Sequence, residues 1–257
     1  ATKYSKRRKR CCPHMNPKRI LLIRTDRIGD VVLSTPAIKA VRDTYPDAYI
    51  AFMVRPYAKD IIEGNPYLDE VIIYDKEAAH NSFFATLLFG LRLRKKKFDT
   101  AVILHPTNRS QMRAFIAGIL NRVGFNRKMA FLLTKRVDDK KLLGEKHELD
   151  YTLDILKNIG VTAVDRSLFV PVTGSAENAV DVKLKAAGYN GSTPLLAIHP
   201  GASCPSKKWP AARFASLADM LKERYGFQIA LVAGPGDARD AAELKNNLKS
   251  RVIDLSG

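Results

Sequence analysis

The sequence predicts an α/β protein made of two units, each with a parallel sheet. Two observations carry the prediction. In both halves of the chain, short runs of β-branched and large apolar residues alternate with helical stripes, as strands joined by helical crossovers do. Over residues 170–194 the composition shifts to Pro, Gly, Ser, Thr and Asn around one polar helix, and then the alternation restarts; such a shift marks the approach to a domain boundary. The expected organisation is a disordered basic arm over residues 1–17, a first domain over 18–172, a linker region over 173–193 and a second domain over 194–257.

The first domain is organised around residues 18–37. Residues 20–23 read as a strand buried on both faces. A turn whose only glycine is Gly29 follows, and a helical stripe of Val31, Val32, Ile38, Val41 and Tyr45 opens at Asp30. Pro36 must kink that helix or begin a second one. A helix start at the ligand-binding edge of a parallel sheet favours an anion. Asp30 therefore stands where a carboxylate serves either as a helix cap or as a base.

Further strands are expected over 48–54, 71–74 and 100–105, the last placing His105 at the same edge, with strand pieces over 124–137. Helices are expected over 83–98, over 113–121, and over 149–156 with Gly160 as its stop. His147, just before that last helix, reads either as solvated or as placed over a cleft. In the second domain, strands are expected over 195–199, 228–233 and 251–255, and helices over 211–225 and 237–248. Three strands with an open edge are few for such a domain, so the chain is expected to be a fragment.

An apolar fraction of 46% suits a globular protein, but the net charge of +17 is unusual. Lys3, Lys6, Arg7, Arg8, Lys9, Arg10, Lys18 and Arg19 precede the first strand with no acid among them. Such a balance favours anionic partners: nucleic acid, a phospholipid surface or phosphorylated substrates. Cys11, Cys12 and Cys204 form no CxxC pair, so no zinc site is expected, and free thiols suit a reducing cytosol. No apolar segment follows the basic start, and no run approaches the ~20 residues of a membrane helix. Residues 83–98, apolar at first and ending in Arg92, Arg94, Lys95, Lys96 and Lys97, read either as a packed helix with a basic end or as a surface that touches anionic lipid.

A second informative stretch is His199-Pro-Gly-Ala-Ser-Cys-Pro-Ser-Lys207-Lys208-Trp209-Pro210. Gly201, Ala202 and Ser203 can present backbone N–H groups to an anion, and Lys207 or Lys208 can add a mobile positive charge. The same stretch also reads as a solvated loop anchored by a buried Trp209, with Pro210 suited to the first helical position.

Arg24-x-Asp-x-Ile-Gly29-Asp30 with Pro36-Ala37, His147-x-x-Asp150, His199-Pro-Gly-Ala, Lys207-x-Trp209-Pro210 and Val232-x-Gly234-Pro-x-x-Asp237 follow one another from about Lys18 onward. Together they resemble glycosyltransferase family 9, the bacterial lipopolysaccharide heptosyltransferases. The resemblance implies a GT-B fold, two facing Rossmann-like domains with parallel sheets, the second truncated in this chain. It implies an inverting enzyme that moves a heptose-type sugar from an ADP-sugar to the lipopolysaccharide inner core. The first domain would hold the lipid-linked anionic saccharide acceptor, and the second the nucleotide-sugar donor. Asp30 would be the general base and Lys207 the cation on the departing diphosphate, with Gly201, Ala202 and Ser203 along the donor phosphates. Arg24, Arg27, Gly29, His105 and His147 are candidates for the acceptor cleft. No metal or cofactor is implied besides the donor, and no Asp-x-Asp pair occurs. Such an enzyme would work in the cytoplasm, peripherally at the inner face of the bacterial inner membrane.

The family's Asp-Ser/Thr-Gly-x-x-His segment is not met before Gly257, so the donor is not legible. Two rivals are weaker. A nicotinamide-dependent Rossmann enzyme wants G-x-G-x-x-G after the first strand, where residues 24–30 carry Gly29 alone. A nucleic-acid-binding protein would explain the charge, but no helix-turn-helix, aromatic sheet motif or zinc module appears, and no nucleic-acid partner is expected.

Overall fold

Ile20, Leu21, Leu22 and Ile23 lose all exposure to solvent in β1 (Arg19–Ile23), as a strand with a helical layer on each face must. The computed structural model describes residues 16–75, 82–162, 165–202 and 204–256; residues 1–15, nearly all of the expected basic arm, lie outside them. Around β1 the chain builds a six-stranded parallel sheet with β2 (Tyr49–Val54), β3 (Glu70–Ile73), β4 (Thr100–Ile103), β5 (Asn121–Phe125) and β6 (Lys135–Val137). Their order is β3-β2-β1-β4-β5-β6. The order reverses between β1 and β4, where Ile23 pairs with Ile103, and ligands bind beyond the carboxyl ends of strands at such a reversal.

Successive strand residues point to opposite faces, so β1 feeds two cores. Ile20 and Leu22 pack with Val31 of α1 (Ile28–Val32), Ile38 and Val41 of α2 (Thr35–Thr44), and Ile155 of α5 (Glu148–Leu156). Leu21 and Ile23 pack with Phe89 and Leu93 of α3 (Phe83–Lys95) and Ala114 of α4 (Asn108–Ile116). Gly160 ends the segment after α5 in a left-handed conformation, φ +89°, which explains a glycine stop there.

Two local expectations change. The helical pattern does not open at Asp30: α1 starts at Ile28 with Arg27 as N-cap, and a break at Leu33 and Ser34 lets Pro36 open α2 in its first turn. The helix expected over 113–121 runs from Asn108, because Thr107 and Ser110 form a reciprocal capping box. Gly118, at φ +69°, follows its end and releases Asn121 into β5. The polar helix expected within 170–194 is α6 (Gly174–Ala186).

The described residues fold as two units, divided between Pro171 and Val172. The second holds α6 and a three-stranded parallel sheet of β7 (Leu195–Ile198), β8 (Gln228–Leu231) and β9 (Val252–Asp254), in sequence order. Ile198, Ile229 and Leu231 pack there with Ala211 and Ala218 of α7 (Ala211–Tyr225) and with Ala241 and Leu244 of α8 (Ala238–Asn247). Among the described residues no helix is long and apolar enough to cross a membrane.

Candidate active site

Arg24 continues β1 and turns its guanidinium inward, leaving 2% of its surface exposed. It belongs to the support of the site and not, as expected, to the wall of a cleft. A buried cation persists only with close partners, and Arg24 has three carboxylates. Its Nε donates to Asp26 Oδ1 at 2.8 Å, and its Nη2 donates to Glu148 Oε1 at 3.1 Å. Nη2 also lies 3.2 Å from Asp30 Oδ1 as an ion pair. Lys141 closes the cluster by pairing with Glu148.

Asp30 is the third residue of α1 and is not its cap. Because α1 has only five residues, Arg24 is a larger local charge than the helix dipole. Burial, followed by the Asp26 charge, raises the Asp30 carboxyl above its ordinary range; Arg24 opposes this, Glu148 adds to it, and Lys141 opposes it. No hydrogen bond reaches Oδ2 of Asp30 among the described residues, so that oxygen can accept a proton. Gly29, beside it, has helical geometry and open space where a Cβ would stand. Neither a close approach nor a left-handed backbone requires glycine there, and it sits in a helix rather than in the turn expected of it.

A cavity of about 570 Å³ opens along the carboxyl ends of β1, β2 and β4, lined by Asp26, Arg27, Arg55, Tyr57, His105 and Lys128 among others. His105 is where the sequence places it; burial, foremost, pushes its imidazole below the usual value, so it is neutral at pH 7. Lys128 has φ +60°, a conformation that costs a non-glycine residue about 1–2 kcal/mol. Fully buried Gln111 holds it there: its Nε2 donates to Arg127 O, and its Oε1 accepts from Met129 N. His147 stands apart as the N-cap of α5, with Nδ1 accepting from Leu149 N. Glu148, Lys141, Arg55, Lys128 and Gln111 are not marked by the sequence, and Asp26 is met there only as part of a motif. Glu148 lies beside the expected His147, but nothing local pairs it with a residue 124 positions away.

In the second unit, the loop after β7 bends over Asp237. A Cβ on Gly201 would lie 2.1 Å from Asp237 Oδ1 and 2.2 Å from its Cγ, so glycine is required there for close approach. His199 Nε2 stands 3.5 Å from Asp237 Oδ2, and its Nδ1 is 3.2 Å from Gly201 O. Ala202 follows on the same loop, and Ser203 lies outside the described residues. Lys207 ends the 3₁₀ segment Pro205–Lys207 with its side chain exposed. Two expectations fail here. Trp209 is 39% exposed and meets Phe214 edge-on, with 4.8 Å between ring centroids, so it does not bury as an anchor. Pro210 is the N-cap of α7, one residue before the first helical position. Lys208, for its part, forms an ion pair with Asp240 of α8.

Among the described residues, no group of three or more His, Cys, Asp and Glu side chains could hold a metal ion. An order-reversing parallel sheet with a carboxylate at its reversal, followed by a second parallel-sheet unit with a glycine–lysine loop, defines a Rossmann-like protein of the GT-B type. The model of glycosyltransferase family 9 (heptosyltransferase) matches residues 87–257, and the chain belongs to that family. Lipopolysaccharide heptosyltransferase 2 of Escherichia coli K12 is 27% identical over 227 residues, 86% of this chain and 64% of that protein. The protein of the same name from Salmonella typhimurium LT2 is 26% identical, covering 90% of this chain and 68% of that one. The chain thus spans about two thirds of the length of these curated relatives. A crystal structure of the glycosyl transferase family 9 protein from Veillonella parvula is 26% identical with a TM-score of 0.84, covering 93% of this chain and 70% of that one. The structure of E. coli ADP-heptose lps heptosyltransferase II, 23% identical, has a TM-score of 0.74 over 93% of this chain and 72% of that one, and shares the fold.

Proposed function

We propose that the protein is an inverting heptosyltransferase that moves a heptose from ADP-heptose to the lipopolysaccharide inner core. The observation that carries this reading is the Asp30 carboxylate, held at Oδ1 and open at Oδ2, at the ligand edge of β1 in a chain of this family. Asp30 takes the proton of an acceptor hydroxyl while that oxygen attacks the anomeric carbon. The bond from this carbon to the diphosphate oxygen breaks, and ADP leaves with the electron pair. Lys207 of the second unit offsets the charge growing on the diphosphate. Gly201 and Ala202 supply backbone N–H groups to the donor phosphates. No cofactor enters this scheme besides the donor. The basic side chains Arg27, Arg55, Arg109 and Lys128 around the first-unit cavity suit the acidic groups of a lipid-linked saccharide.

Transfer of labelled heptose from ADP-heptose to a lipopolysaccharide acceptor lacking it tests the reading. Label should appear in the lipid fraction, and an enzyme that leaves the acceptor unlabelled at saturating donor sinks it.

The same reading places the protein in the cytoplasm at the anionic inner leaflet, and takes its charge to serve saccharide and lipid rather than nucleic acid. The outer side of α3 supports the membrane contact: Leu88 is 57% exposed and Leu91 43%, with Arg92 and Lys95 exposed beside them. Each basic residue near such a surface contributes about 1 kcal/mol, and salt weakens it. Lys96 is already paired with Glu70, so Arg92→Gln with Lys95→Gln is the informative double variant. It should lower sedimentation with phosphatidylserine vesicles, as should rising salt; equal binding to neutral vesicles counts against the contact.

A further inference from the structure

We propose that Glu148 is a positioning residue for the Asp30 carboxylate: by taking the directed hydrogen bond of Arg24 Nη2, it keeps that guanidinium from closing on Asp30. This inference rests on the reading of Asp30 as the base.

The geometry is specific. Arg24 Nη2 lies at nearly equal distances from two carboxylates, 3.1 Å from Glu148 Oε1 and 3.2 Å from Asp30 Oδ1. Only the contact to Glu148 has hydrogen-bond geometry. Arg24 Nε is committed to Asp26, and Nη1 points to Leu104 O at 3.5 Å. The guanidinium is therefore held from three sides by Asp26, Leu104 and Glu148. Asp30 receives its charge without a bidentate clamp, the arrangement that would most strongly stabilise a carboxylate and make it a poor proton acceptor.

Glu148 comes from the first turn of α5, a different element from the β1–α1 segment that holds Arg24 and Asp30. Its other ion-pair partner is Lys141. The charged and titratable groups facing Asp30 are Asp26, Arg24, Glu148, Lys141 and the imidazole of His105. Glu148 and Asp26 oppose ionisation of Asp30, and Arg24 and Lys141 favour it. Removing Glu148 frees Arg24 to close on Asp30 and also removes a negative charge. Both changes make Asp30 a weaker base.

The test follows the Asp30 side-chain carboxyl by ¹³C NMR titration on the full chain, assigned by its loss in Asp30→Asn. Glu148→Ala should lower the Asp30 midpoint by about one pH unit, roughly a tenfold loss of proton affinity. Glu148→Asp should restore part of it. Lys141→Gln should move the midpoint upward, and this variant leaves both Arg24 and Glu148 in place should Glu148→Ala fail to fold. The acid limb of the kcat/KM profile should follow the same directions. A midpoint unmoved in Glu148→Ala, with the rest of the spectrum intact, overturns the proposal. Failure of the base reading looks different: the midpoint moves as stated, yet Asp30→Asn keeps its turnover.

Discussion

Asp30→Asn should lower kcat by roughly two to four orders of magnitude, the usual worth of a positioned general base, while leaving the fold intact. Asparagine keeps the shape of the side chain and an oxygen that can face Arg24. The buried guanidinium retains Asp26 and Glu148, so the change strands no charge. What disappears is the capacity to take a proton. The pH dependence has a definite sign. A base works ionised, and the Asp30 carboxyl is raised above its ordinary range, chiefly by burial. The wild-type rate should therefore fall as pH drops through that raised value, at higher pH than for an exposed aspartate, and Asp30→Asn should lose this limb. Steady-state kinetics across pH, with circular dichroism on both proteins, checks the pair of outcomes. Near-normal turnover in the variant would falsify the mechanism.

Lys207→Ala and Lys208→Ala should separate cleanly, one through rate and the other through stability. Lys207 is exposed and makes no ion pair among the described residues, so removing it leaves nothing buried and unpaired. If it meets a diphosphate whose charge grows as the bond breaks, its loss falls on the transition state. About 10²–10³ in kcat is the scale for one such group. Lys208 is instead tied to Asp240, whose side chain is only 10% exposed on α8. Its loss leaves that carboxylate with little water and no partner, which should cost about 1–2 kcal/mol, discounted for the partly exposed lysine. Thermal melts and kinetics at matched folded fraction distinguish the two. A steep rate loss in Lys208→Ala with an unchanged Lys207→Ala would move the phosphate contact by one residue.

The sequence by itself determined the alternation of strands and helices, because each buried strand is written in its own local run, as in residues 20–23, and each amphipathic helix in its own stripe. It also placed Asp30 and His105 at a sheet edge, since a residue just past a parallel strand has nowhere else to be. Helix starts were less legible: Arg27 caps α1 without a side-chain signal, whereas the Thr107–Ser110 box is a local signal that does mark the start of α4. The tertiary structure alone decided the rest. Arg24 reads as a cleft cation until Glu148 arrives from 124 residues away to hold it underneath Asp30. Lys208 reads as a mobile charge for an anion until Asp240 meets it across 32 residues. Gln111 shows no sign of clamping Lys128 until β5 has carried the chain back beside α4. Local patterns record which face of an element is apolar, but the partner of a buried charge is fixed only when distant elements pack, because burial is what makes such a charge require a partner.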